Sequence, residues 1–250
     1  MINAIASEWV KLRSLRSAHF VLAATLSAPA LTGFAALSIS KHFDTNGFGG
    51  EPVGTGLGFS ADITPVLFGM LGVLAISGEY STGMIRLTLT TMRRPWHLLL
   101  AKAAVVAAVA AIVGQILAFA TYFTAQAVVG DRPIGASFSE PAALTEVLAA
   151  GAGSAVAAVL GLGLATIVRS LPGTLITLIA LLLTPTMIAR FLPAPWNDWT
   201  SSLTIPSLTR QLADVPDSGA FGPLPATAIL ASYVVIPLLA ATLAITHRDA

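Results

Sequence analysis

The 250-residue chain is 55% hydrophobic and 10% charged, with a mean hydropathy of +0.82. An average soluble domain carries about 25% charged residues, so sparse charges between long apolar runs define an integral membrane protein. A formal net charge of +1 leaves no basic face large enough to neutralise a run of phosphates, which argues against nucleic acid as a partner. The absence of cysteine excludes disulfides, a thiol nucleophile and a thiolate metal site.

Residues 1–18 read as an amphipathic helix. Ile2, Ile5, Ala6, Trp9, Val10 and Leu12 recur at roughly helical spacing, while Glu8, Lys11, Arg13 and Arg16 fall mostly elsewhere. A tryptophan and basic residues just before an apolar span suit a helix lying in the headgroup layer, which makes Glu8, Trp9, Lys11 and Arg13 its interfacial residues. A cleaved signal peptide is the competing reading. Its basic region would be long, its apolar run too long, and Pro29 interrupts that run.

Six candidate spans follow, at about 20–40, 63–77, 103–129, 142–168, 171–189 and 226–246, since a run of about 20 apolar residues crosses the hydrocarbon core as a helix. The second is short enough to require extension, and the third is long enough to tilt or protrude. None alternates apolar and polar residues with period two, which argues against a barrel. The predicted fold is therefore all-α: one transmembrane domain over 1–250, a six-helix bundle with an amino-terminal interfacial helix. With the amino terminus inside, nine of the 13 basic residues are cytoplasmic and nine of the 12 acids are outside. That bias follows the positive-inside rule and puts both termini in the cytoplasm of a multi-pass plasma-membrane protein.

The connections differ in kind. Arg169, Ser170, Leu171 and Pro172 form a tight inner turn, with Pro172 placed to start the fifth helix. The stretch 190–225 holds Trp196, Trp199 and several prolines with apolar residues between them, too apolar for a solvated loop, and reads as an outer segment that re-enters the membrane. Gly151, Gly153, Gly161 and Gly163 in the fourth span allow helix backbones to approach closely.

No catalytic constellation is present. There is no Walker A loop, the four histidines are scattered singly, and no acid cluster has metal-ligand spacing. Ser154 in the fourth span lacks a histidine to activate it and reads as packing. Asp62, Glu146 and Arg190 lie near span ends, where snorkelling satisfies them, so a proton-coupled carrier is disfavoured. On the third span Gln115, Phe119, Tyr122 and Phe123 are candidates to line a substrate path, a role that helix packing explains equally well.

The polar stretch 78–102 stands apart. A cytoplasmic helix around 81–91, with Glu79 near its start and Arg93 and Arg94 beyond its end, has the charge polarity that complements a helix dipole. Arg93, Arg94 and Lys102 are equally explained as loop charges that set topology. The run Gly78-Glu79-Tyr80-Ser81-Thr82-Gly83 is not, because an acid and an aromatic at the inner end of a span do nothing for orientation.

These segments resemble a family. Ser7 to Ser17 (SEWVKLRSLRS) looks like the amino-terminal segment of actinobacterial permeases of type-2 ABC exporters. Gly78-Glu79-Tyr80, Gly83, Ile85-Arg86, Arg94 and Lys102 are similar to the loop between their second and third spans, and Gly161-Leu162-Gly163 through Arg169-Ser170 to Gly173 resembles their junction of spans four and five. The resemblance implies a dimer of permease subunits bound to two separate ATP-binding subunits, with ATP and magnesium on those partners and no cofactor on this chain. It implies that Glu79, Tyr80, Gly83 and Arg86, with Arg93 and Arg94, contact the ATPase at a coupling helix. The expected function is export of a hydrophobic or amphipathic substrate: a drug, natural product, peptide or lipid. A polar-polymer exporter of the same architecture and a non-transport scaffold or sensor are the alternatives.

Overall fold

A computed structural model describes residues 2–46, 53–81, 96–130, 132–137, 141–216 and 218–248. The amino-terminal helix α1 (Ile2–Ser14) turns at Leu15, whose backbone is extended, into α2 (Arg16–Thr25) and α3 (Ser27–Asn46), which together make the first candidate span, Arg16–His42. The interruption at Leu26 has a local cause. Pro29 has no N–H, and its ring would collide with the carbonyl four residues earlier, that of Thr25. Leu26 instead closes a tighter turn by donating its N–H to Ala23 O at 3.1 Å.

The remaining candidate spans are α4 (Ile63–Ser81), α5 (Trp96–Val129), α6 (Pro141–Val168), α7 (Leu171–Ala189) and α10 (Pro223–Arg248). The described residues thus hold six helices long and apolar enough to cross a membrane. Two short helices, α8 (Trp196–Ser202) and α9 (Ile205–Leu212), stand between α7 and α10. The second span runs to Ser81 rather than 77, and the third starts at Trp96 rather than 103, so Glu79 and Lys102 lie inside helices rather than in a loop.

Helix α6 is the hub, packing against α4, α5, α9 and α10. Its glycines make this possible. A Cβ added to Gly161 would stand 2.0 Å from Gly69 O, and one on Gly72 of the facing helix 1.8 Å from Ala158 O, so α4 and α6 meet backbone to backbone. Gly151, Gly153 and Gly163 lie equally close to side chains of α5, α9 and α10. Around this crossing Phe68, Leu71, Leu99, Leu162, Leu178 and Leu208 are fully buried in one core. Spans one, five and six expose most of their apolar surface instead.

At one end of the bundle, here the loop end, Gly54 forms an isolated parallel β-bridge with Gly135 (Gly54 N to Ile134 O, 3.0 Å; Ala136 N to Gly54 O, 3.1 Å). Arg132 closes the same region on Asp44 through two hydrogen bonds of 2.8 and 2.6 Å, and these hold the Asp44 carboxyl below its ordinary range. Helix α9 packs back onto α6 and α10, with Ile205 and Leu208 in the main core. Trp196 and Trp199 stay exposed. Buried Gln211 ties this region together, donating to Ser202 O (2.9 Å) and accepting from Phe221 N (2.9 Å).

Candidate functional site

The opposite end, which carries α1, the α6–α7 turn and the end of α10, holds the densest buried charge among the described residues. Glu8 faces inward from α1, while Ile5, Trp9 and Val10 on the same helix are exposed. Glu79 comes from the last turn of α4 and Lys102 from the second turn of α5. Glu8, Glu79 and Lys102 are 2%, 4% and 3% exposed.

Lys102 donates to Glu8 Oε2 through a very short contact, to Glu79 Oε1 at 3.0 Å and to Ala75 O at 3.1 Å. Those three acceptors saturate an ammonium group. Lys11 sits at the rim and donates to Glu8 Oε1 at 2.7 Å and Glu79 Oε1 at 2.9 Å. Two carboxylates and two ammonium groups give a cluster with no net charge, the condition under which burial is tolerable. Burial would pull the Lys11 ammonium down, but its hydrogen bonds to both glutamates outweigh that and hold it above the ordinary lysine value. Glu79 Oε2 is buried with no hydrogen-bond partner among the described residues.

A second brace lies beside the first. The Tyr80 hydroxyl donates to Thr166 O near the end of α6 at 3.4 Å. The Arg169 guanidinium lies 5.6 Å from the centre of the Tyr80 ring, within cation–π range, and donates to Ala244 O on α10 at 3.1 Å. Arg169 itself takes a left-handed backbone (φ 58°), which starts the turn into α7. Glu79 and Tyr80 therefore lock the end of α4 to α1 and α5 on one side, and to α6, the turn and α10 on the other.

This placement corrects the sequence reading. Lys102 is no loop charge: it is the buried centre of the cluster. Glu79 turns into the protein, so its carboxylate is not a surface contact for a partner, and Glu8 is not a headgroup-facing residue of α1. Trp9 and Arg13 are exposed, as an interfacial helix requires. Gly83, Arg86, Arg93 and Arg94, with the helix expected at 81–91, lie outside the described residues except for Ser81, which ends α4.

The candidate path residues on α5 do not converge on a cavity. Gln115 donates to Val147 O on α6 at 3.0 Å, and Tyr122 is buried with its hydroxyl on Ala136 O at 2.9 Å. Phe119 is half-buried and stacks on Phe123, which is exposed on the outer surface of the helix. Glu146 is a further correction. It does not snorkel; it is buried, accepting from Thr55 Oγ1 at 3.0 Å and pairing with Arg210 Nε at 3.2 Å. Ser154 is buried and donates to Ala150 O within its own helix at 3.1 Å, as its packing role requires.

A six-span helical bundle braced at one end by a buried ion cluster defines a polytopic membrane protein. The chain belongs to the ABC-2 family of transporter proteins, whose family model matches residues 4–190. That match covers α1, both partners of the α4–α6 crossing, and all four residues of the cluster. A comparison with curated proteins gave no match.

Proposed function

We propose that the chain is the membrane-spanning permease of an ATP-driven exporter, working as a dimer with separate ATP-binding subunits that carry ATP and magnesium. The end bearing the ion cluster faces the cytoplasm, in keeping with the distribution of basic residues. The observation that carries this reading is the Glu8–Lys11–Glu79–Lys102 cluster. It fastens the interfacial helix to the two spans that flank the segment 82–95.

A push delivered to that segment reaches α4 and α5 directly, and through Glu79 and Lys102 it reaches α1 as well. Tyr80 and Arg169 extend the connection to α6 and α10. Glu79 then acts as a positioning residue inside the permease, and the docking contacts fall to residues of 82–95 such as Gly83, Arg86, Arg93 and Arg94. Tilting these spans together exchanges inward- and outward-open states, and a substrate that binds the two states unequally is moved in one direction. The exposed faces of spans one, five and six are available to lipid and to a second permease subunit. Their apolar character suits a hydrophobic or amphipathic substrate.

The class is tested by capturing the tagged chain from its native membranes in mild detergent and identifying what accompanies it by mass spectrometry. The expected result is an ABC-type ATP-binding subunit, released when Arg86, Arg93 and Arg94 are replaced together by alanine. Recovery of this chain alone, with cross-linking in intact membranes also negative, overturns the proposal.

A further inference from the structure

A second polar site lies at the loop end, unconnected to the ion cluster. A cavity of about 80 Å³ opens between α5, α6 and α9, walled by apolar residues such as Leu117 and Ala118. That is room for a few heavy atoms beyond a single water. Among the described residues Glu146 is its one acid and Arg210 its one base.

The two partners are unequally placed. The Glu146 side chain is 10% exposed and the Arg210 side chain 45%. Arg210 is free to exchange the pair for water, whereas Glu146 cannot follow it and would remain as a buried charge in need of a cation. Three of the five hydroxyls lining the cavity point the same way. Thr64 donates to Ser60 O (2.9 Å), Ser154 to Ala150 O (3.1 Å) and Thr209 to Pro206 O (2.8 Å), so each has spent its hydrogen on the backbone and presents only lone pairs. With Arg210 turned to water, a carboxylate beside these acceptors in apolar walls favours an organic cation over an anion.

We propose that this cavity receives the cationic head of an amphiphilic substrate, with Glu146 as anchor and Arg210 as the counter-ion it displaces. The proposal rests on the export reading for its physiological meaning, but its test does not. The full chain is placed in nanodiscs of uncharged phosphatidylcholine, and binding of radiolabelled benzyltrimethylammonium is measured by scintillation proximity, with neopentylbenzene, its neutral carbon analogue, as competitor.

Saturable binding is expected, weakened at least tenfold by Glu146→Gln, tightened by Arg210→Ala, and not displaced by neopentylbenzene. Tightening in Arg210→Ala is a result that damage to the fold does not produce. No saturable binding, binding indifferent to Glu146→Gln, or weaker binding in Arg210→Ala overturns the site. Because no ATP-binding subunit is present, the two readings fail separately. Glu146-dependent binding without ATP-driven transport by the reconstituted complex keeps the site and removes the exporter, and transport with Glu146-independent binding does the reverse.

Discussion

Lys102 is held by two carboxylates and one carbonyl in a region closed to water, and such a group resists piecemeal change. Removing one partner of a buried ion pair leaves the other uncompensated, a loss of about 3–5 kcal/mol. Lys102→Met is therefore expected to destabilise the detergent-solubilised protein by that order in equilibrium unfolding. Glu8→Gln in the same chain should recover part of the loss, because a double-mutant cycle exposes the coupling. Additive losses would mean that the two residues act independently. Lys11 gives a pH signature. Its raised pKa contributes stability that is fully present below the ordinary lysine value of about 10.4 and is lost as pH rises through the higher folded value. The difference in melting temperature between wild type and Lys11→Gln should accordingly stay constant from pH 6 to 9 and shrink only in strong alkali. None of this pairing was readable in the sequence. The partners of Lys102 are 94 and 23 residues away, and a lysine beside the expected start of a span looks the same whether it sets topology or fills a buried site.

Among the elements, α6 owes its central place to close approach rather than to large side chains. Gly161→Ala is expected to insert into the membrane yet fail to give a monodisperse species on size-exclusion chromatography, since its Cβ would meet Gly69 O at 2.0 Å. Gly78→Ala is the matched control. Nothing lies within 4 Å of its Cβ position, so it should be neutral or slightly stabilising, as expected for alanine replacing glycine in a helix. Six spans, the short connection before α7 and the density of glycine in the fourth span were all legible, because hydropathy and small-residue spacing are local properties. The break at Leu26 followed from Pro29, although the sequence reading kept that span whole. What was not legible is which helix each glycine faces, since four glycines of one helix turn to four different neighbours. The burial of Glu146 was missed for the same reason: its partners Thr55 and Arg210 arrive from the loop before α4 and from α9.

For the whole molecule, both ends are now tied by charge while the centre is tied by backbone contact. The cluster of Glu8, Lys11, Glu79 and Lys102, with Tyr80 and Arg169 beside it, gathers the ends of α1, α4, α5, α6 and α10. At the loop end Asp44–Arg132 and Glu146–Arg210 join loops and short helices to the spans. In the proposed mechanism the ion cluster transmits the movement of 82–95 to the spans. The most direct test measures ATP hydrolysis and substrate transport side by side in proteoliposomes containing the permease and its ATP-binding subunit, for wild type and for Glu79→Gln. The variant is expected to insert and assemble normally and to keep hydrolysing ATP, with transport per ATP reduced at least tenfold. An unchanged ratio of transport to hydrolysis in a fully assembled Glu79→Gln complex would contradict it.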